Sequence, residues 1–256
     1  ADVMEAARQK AKELGADMML PATSATDAAN AMNALARAGL PAKDAIDGAR
    51  GALLLAAAAN IDAARAAEIM GNALMMFKLP GTEAGHVADL LAGAYKNAGS
   101  SFEQTAEAIR VAGPSFATAK IPIDDLVTGI ALLAQNGIKG ADAGQALRSM
   151  IDALINPTEA AKAALIGMGV QTRDLTTGEL RPFKDILADL KEGYDKLTPA
   201  QQAQRLEMIF GKDALRGVQT LLGQAPGSWD KMREAITQAG SAQELATAHA
   251  KGVTGA

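Results

Sequence analysis

Apolar residues recur along this chain at intervals of three and four, in blocks of about ten to eighteen positions separated by short polar or glycine-containing breaks. Met70, Ala73, Leu74 and Phe77, spaced i, i+3, i+4, i+7, show the rhythm of a helix buried on one face. Start signals precede many blocks. Ser24-Ala-Thr-Asp27, Ser101-Phe-Glu-Gln104, Thr198-Pro-Ala-Gln201 and Ser241-Ala-Gln-Glu244 fit a capping box, in which the first side chain accepts a backbone N–H and the fourth returns a bond. Asn156-Pro157-Thr158-Glu159 reads as a variant with proline in the first turn, where its missing N–H costs nothing. Gly15, Gly39, Gly137, Gly169, Gly211 and Gly240 follow the last apolar position of their blocks and read as stops in left-handed backbone. Together these signals predict helices near 2–14, 25–38, 42–59, 62–77, 82–97, 102–112, 123–136, 141–155, 158–168, 183–196, 199–210, 213–222, 228–239 and 242–250.

One interval departs from the helical period. From Val170 to Pro182, β-branched residues alternate around Thr176-Thr177-Gly178, which predicts a two-stranded hairpin near 170–182 lying against helices. The predicted fold is therefore all-α, a multi-helix bundle or array of short antiparallel helices with one small β-hairpin. It divides into an Ala-rich helical core domain, 1–169, and a second part, 170–256, with the hairpin and C-terminal helices packed on the core. Within the first part, Leu40-Pro41-Ala-Lys-Asp44 with Gly48 matches Ile121-Pro122-Ile-Asp-Asp125 with Gly129, and Asn60-Ile61 matches Gly137-Ile138. Duplication and coincidence in an Ala-rich chain both account for these matches. The expected core comprises Leu53, Leu54, Met70, Leu74, Phe77, Leu90, Leu91, Leu132, Leu133, Leu147 and Ile151.

Composition sharpens this picture. Of 256 residues, 58 are alanine and 3% are aromatic, so the 49% that are hydrophobic are mostly methyl-sized and predict a thin, closely packed helical core rather than disorder. The longest apolar run, Gly51 to Ile61, falls well short of the ~20 residues that span a bilayer. With 25 basic and 29 acidic residues the net charge is −4, and no segment carries the basic stripe of a nucleic-acid binder. The absence of cysteine excludes disulfides, thiolate metal sites and cysteine nucleophiles, and suits a reducing compartment or a protein that has to unravel. The missing initiator Met and the Val253-Thr-Gly-Ala256 end read as those of an excerpt, and no signal peptide is visible.

Candidate chemistry is sparse. His86 and His249 are far apart and lie in no metal-binding spacing. Gly167-Met-Gly169 lacks the third glycine of a dinucleotide loop, Gly211-Lys212 lacks the rest of a phosphate loop, and no Gly-x-Ser-x-Gly elbow occurs. Carboxylate pairs such as Asp124-Asp125 stand at helix starts, where the helix dipole accounts for them. No catalytic residue, cofactor or metal is expected. Met18-Met19, Met70, Met75-Met76, Met150, Met168, Met208 and Met232 could form an adaptable binding surface, although helical spacing favours the core.

The punctuation itself resembles a family. Ala-Arg-Ala-Gly39-Leu-Pro before a helix, Leu53-Leu-Leu-Ala-Ala-Ala, an Ala-Ala-Glu-Ile-Met helix and Glu83-Ala-Gly-His-Val-Ala-Asp89 are similar to the core region of phage tail tape measure proteins of the lactococcal-phage type. Val111-Ala-Gly-Pro114, Leu132-Leu-Ala-Gln-Asn-Gly-Ile-Lys-Gly140, Ala143-Gly144 with Leu147-Arg148, Asn156-Pro157-Thr158, Met168-Gly-Val170, Arg181-Pro182 with Asp185-Ile-Leu, and Ile209-Phe210-Gly211 continue it in the family's order, over about residues 15–222. The resemblance implies a virion component housed in the tail tube lumen, and in the host cytoplasm during assembly, whose length sets tail length and which leaves ahead of the DNA at infection. The implied partners are tail tube and tail-tip proteins, tail assembly chaperones, further copies of itself and the host membrane during ejection, with no specific nucleic acid. Its matching residues, Gly39, Pro41, Gly137, Gly140, Gly144, Arg148, Asn156, Pro157, Phe210 and Gly211, are implied to be architectural: glycines at turns, prolines at helix starts, and Arg148 as partner of a helix-end carbonyl or a carboxylate. Two alternatives remain, a generic helical protein–protein interaction module and a membrane-perturbing helical protein that assists DNA entry. An enzyme has the least support.

Overall fold

Helices form close to the predicted spans because their ends are chemically fixed. The structure is a computed structural model describing residues 2–225 and 227–254; Ala1 and the Gly255-Ala256 end noted above lie outside them. In chain order the helices are α1 (Val3–Gly15), α2 (Ala25–Arg37), α3 (Ala42–Ala59), α4 (Ala63–Met76), a 3₁₀ turn (Gly81–Glu83), α5 (Ala84–Ala98), α6 (Phe102–Thr118) and α7 (Ile123–Gln135). They continue with α8 (Gly140–Ile155), α9 (Glu159–Gly167), α10 (Phe183–Asp195), α11 (Pro199–Phe210), α12 (Lys212–Leu222), α13 (Ser228–Ile236) and α14 (Ser241–Thr254). Three of the four capping boxes are present. At α2, for instance, the Asp27 N–H donates to Ser24 Oγ at 3.1 Å and the Ser24 N–H donates to Asp27 Oδ2 at 2.9 Å.

The fourth box does not form. Ser241 is already helical, and its buried hydroxyl donates to the Gln238 carbonyl. Pro157 is likewise not in the first turn of α9; Thr158 caps that helix by accepting from the Ala161 N–H, and Asn156 closes α8. Five of the six predicted glycine stops have positive φ, but Gly15 is the last residue of α1, and a Cβ there would lie 2.5 Å from the Ala25 backbone nitrogen. Space rather than dihedral angle requires that glycine.

The largest helix error is at α6, predicted to end at 112 before Gly113-Pro114 but continuous to Thr118. Pro114 lies on the exposed side of the helix, so the Arg110 carbonyl it cannot serve faces water. The turn beyond it is held by tertiary contacts. Phe116 is fully buried, edge-on to Phe183 at 5.6 Å, which in turn meets Trp229 edge-on at 5.5 Å, and Ser115 Oγ donates to Asp152 Oδ1 at 2.6 Å.

No β-hairpin forms among the described residues. Only one antiparallel bridge is present, Arg173 opposite Leu180, made by Asp174 N–H to Glu179 O and Arg181 N–H to Thr172 O, both 2.9 Å. The ladder has no room to grow. On one side the Asp174 carboxylate accepts the Thr176 and Thr177 N–H groups, which hold it below its usual pKa and tighten the turn. On the other, Pro182 starts α10, while Arg181 Nη1 and Gln171 Nε2 occupy the Gln171 and Arg173 carbonyls.

The chain divides into two compact units, Ala1–Asn97 with Glu234–Ala256, and Ala98–Arg233, a different cut from the 1–169 and 170–256 division drawn from sequence. The first unit is organised on α3, which touches α1, α2, α4, the 3₁₀ turn and α14; the second on α8, which touches α6, α7, α11 and α12. Every expected core residue is buried except Phe77, which is half-buried as the cap of α4. Methionines divide: Met32, Met70, Met150, Met168 and Met232 are buried, whereas Met18, Met19, Met75 and Met208 are exposed.

Replacing Pro114 with Ala restores a backbone donor on a solvated helix face. Offset by the greater freedom of the unfolded chain, the change is expected to raise stability by about 1–2 kcal/mol in urea unfolding. A loss of stability would show that the proline itself positions Phe116.

Candidate functional site

The motif residues are joints and contact points of helices. Gly39 (φ +105°) ends α2 so that its N–H reaches Ala36 O and the Leu40 N–H reaches Leu35 O, leaving Leu40 buried; Pro41 then caps α3. Gly137 (φ +78°) closes α7 with the same pair of bonds, Gly137 N–H to Ala134 O and Ile138 N–H to Leu133 O, and buries Ile138. Gly140 (φ +57°) opens α8, and Gly211 (φ +77°) is at once the end of α11 and the start of α12, next to buried Phe210.

Gly144 differs from these. It has ordinary helical backbone, yet a Cβ there would stand 2.8 Å from both Ala108 O and Val111 Cβ, so α8 and α6 meet backbone to backbone. One turn further, Arg148 Nε lies 3.5 Å from Asp152 Oδ2, whose other oxygen accepts from Ser115 of α6. Its partner is thus a carboxylate, on the same helix. Gly39 and Pro41 belong to the first unit and the other motif residues to the second.

Two kinds of joint were illegible in the sequence. Lys78 (φ +53°) and Lys120 (φ +58°) end α4 and α6 in left-handed backbone, with Leu79 N–H to Leu74 O and Ile121 N–H to Phe116 O. Lysine gives no local hint of this, but the following Leu79-Pro80 and Ile121-Pro122 repeat the Leu40-Pro41 pattern. Gly51, Gly71, Gly93, Gly193 and Gly217 are further close approaches, where a Cβ would come within 2.4 to 2.6 Å of a neighbouring atom. A glycine interrupting an apolar helix face was their only signal.

The described residues contain no cluster of metal-binding side chains, and no helix is long and apolar enough to cross a membrane. His86 is half-buried on α5, and His249 Nδ1 lies 3.4 Å from the Ala57 carbonyl. Met168 of the Gly167-Met-Gly169 sequence is buried, with its carbonyl pressed against Gly193. Two hollows lie in the second unit. One, of about 600 Å³, is lined by Ile155, Pro157, Lys162, Val170 and Arg173 and rimmed by Ile166 and Leu175, the latter 90% exposed. The other, of about 430 Å³, has walls of Leu132, Leu187, Leu221, Leu222 and Trp229, whose buried Nε1 has no hydrogen-bond partner. This second hollow is also lined by Lys184, Lys191, Glu192, Asp195 and Asp230, but these are taken up in surface ion pairs, Lys184 with Asp230, Lys191 with Asp195 and Glu192 with Lys196. Of the Asp124-Asp125 pair, Asp125 is paired with Arg233. Burial nevertheless pushes its carboxyl above the usual range, against the Arg233 charge and with that of Asp124.

Comparison with known proteins gives this geometry a family. Residues 8–211 match the family described as phage-related minor tail protein. The chain belongs to that family. It is 32% identical over 240 residues to the tape measure protein of Pneumococcus phage Dp-1, covering 93% of this chain and 20% of that protein. It is also 32% identical over 238 residues to the probable tape measure protein of Escherichia phage P2, covering 91% of this chain and 28% of the relative. The chain therefore spans between a fifth and a third of the length of the curated relatives it matches. No solved structure matches it. In this chain the motif residues stand at joints and contact points between helices.

Adding a methyl group at Gly144 has to push α6 from α8, so Gly144→Ala is expected to cost about 1–3 kcal/mol. Gly85→Ala in α5, where the same methyl meets nothing within 4 Å, is expected to gain about 0.5–1 kcal/mol from helix propensity. Equal effects in urea unfolding would refute the contact. For Asp125 the sign runs against an ordinary ion pair. As pH rises above the ordinary value of 3.8, the unfolded chain loses this proton before the folded one, so stability falls until the raised folded value is passed. Asp125→Asn is expected to remove that decline, so the variant gains on the parent as pH rises above the ordinary carboxylate value. The opposite trend in paired unfolding curves would show the Arg233 charge to dominate.

Proposed function

We propose that this chain is a structural module of a phage tail tape measure protein, which sets tail length during assembly and is expelled ahead of the DNA. The observation that carries this reading is the 32% identity to tape measure proteins over more than nine-tenths of the chain. The architecture agrees with it: sequence motifs fall at helix joints, and the role asked of the chain is mechanical rather than catalytic. Tail tube and tail-tip proteins, assembly chaperones and further copies of the chain are its expected partners, and the virion is its expected location. The interaction-module and membrane readings have no comparable observation behind them.

The packing also supports a proposal about ancestry. Helices α2–α4 and α6–α8 each form a triplet in which all three pairs touch. Gly39-Leu40-Pro41 and Lys120-Ile121-Pro122 make the same joint, as do Asn60-Ile61 and Gly137-Ile138. We read the triplets as two copies of one ancestral unit.

Size decides how such a module can serve as a ruler. The second unit, about 136 residues, has an expected radius of gyration of about 14 Å and a breadth of roughly 37 Å, against ~10–12 Å for a single helix. As one continuous helix the whole chain would span about 380 Å. In-frame removal of these codons from the parent phage, and their duplication, are expected to shorten and lengthen tails by up to about that amount in electron micrographs. Tails of unchanged length in both would overturn the ruler role for this stretch and favour residence at a tail end.

A further inference from the structure

Helix α14 is held on the first unit by a stripe of α5. Asp89, Gly93 and Lys96 are spaced i, i+4, i+7, hence on one face. The Asp89 carboxylate accepts two backbone N–H groups at the start of α14, from Gly240 and Ala242, each at 2.9 Å. Gly93 leaves a notch for Ile236, where any Cβ would stand 2.5 Å from Ile236 Cα. Lys96 pairs with Glu244 one turn into α14. Elsewhere Gln243 donates to the Met19 carbonyl at 2.6 Å, and α14 lies along α3, with His249 beside Ala57.

Against these polar bonds the apolar grip of α14 is slight. Of its described side chains only Ser241, Ala242 and Ala246 are buried, and in the stretch from 234 that leads into it Ile236 is the single buried apolar side chain, whereas α3 buries Leu53, Leu54 and Leu55. A segment held by few apolar contacts opens at a lower free energy than the unit it closes. The chain between α13 and α14 is a short link ending in Gly240 at φ +85°.

We propose that residues 234–254 are a releasable clasp on the first unit, with Asp89, Gly93 and Lys96 as its catch and the α3 face around Ala57 as the surface it covers. Release follows from this geometry; only its use, as the first step in opening the module for passage through a tube, rests on the tape-measure reading. Asp89→Asn takes away the charge and one acceptor from the exposed amides of α14. Gly93→Ala fills the notch while favouring α5 as a helix.

Hydrogen exchange by mass spectrometry on the full chain tests the clasp, with a hydrophobic dye to report uncovered apolar surface. In both variants amides 241–252 are expected to exchange roughly tenfold faster or more, with α7 of the second unit unchanged and dye fluorescence increased. Unchanged exchange in α14 in both variants would overturn the proposal. Parallel loss of protection in α7 would overturn it too, by showing general unfolding, and faster exchange without dye uptake would overturn the covering of α3. A clasp that releases in a phage whose tails keep their length would remove the ruler role and leave the clasp standing.

Discussion

Where two helices cross with backbone against backbone, the side chain at the crossing has to be absent or a single methyl group, and both units are built on such crossings. Gly144 against Ala108, Gly51 against Ala84, Gly71 against Ala38, and Gly217 against Ala146 each place an imagined Cβ under 3 Å from a neighbour. The surrounding faces follow suit, with Ala49, Ala52 and Ala58 buried on α3 and Ala143 and Ala146 on α8. A large residue at any of these points would separate the axes, and the leucines beside them would lose their contacts. The high alanine content is therefore a geometric requirement of the short interaxial distances.

This packing has an energetic consequence. A buried alanine carries three fewer carbons than a leucine, so each such position contributes about 2.4 kcal/mol less apolar transfer at ~0.8 kcal/mol per CH₂. The closer approach returns part of this as dispersion, at ~0.1–0.2 kcal/mol per pair of heavy atoms, or about 1–2 kcal/mol for ten added contacts. Transfer wins, and an interface of small residues is weaker than one of leucines of equal length. The larger apolar groups are concentrated instead in a few places, such as the Phe116, Phe183 and Trp229 chain of the second unit and the three leucines of α3 in the first. Separate helices also keep their own backbone hydrogen bonds when the interfaces part, and no disulfide has to be broken. A chain organised in this way suits a structural role in which tertiary contacts are made during assembly and given up later.

The helix joints acquire a physical meaning from the same constraint. Short helices meeting at close range leave little room for connections, and the chain answers with one recurrent joint: a left-handed residue, an apolar residue that is buried at Leu40 and Ile121 and half-buried at Leu79, and often a proline that starts the next helix. Gly39-Leu40-Pro41, Lys78-Leu79-Pro80 and Lys120-Ile121-Pro122 share it. The left-handed residue satisfies the last helical carbonyls, and the apolar one anchors the turn.

The sequence by itself determined most of the helices, because caps and period act over three to seven residues and need no partner. Ser24 with Asp27, Ser101 with Gln104 and Thr198 with Gln201 close on themselves. The left-handed glycines at Gly39, Gly137 and Gly211 were legible for the same reason, and so was the aliphatic part of the core. Tertiary structure decided what depends on distant neighbours. It carried α6 past Pro114, because Phe116 and Ser115 find partners on α10 and α8; it reduced the expected hairpin to one bridge, because Pro182 was needed to start α10. It also drew α14 back to the first unit through Asp89, a carboxylate 151 residues from the Gly240 amide it accepts. No local pattern encodes that contact, since each partner is satisfied only by a group from the far end of the chain.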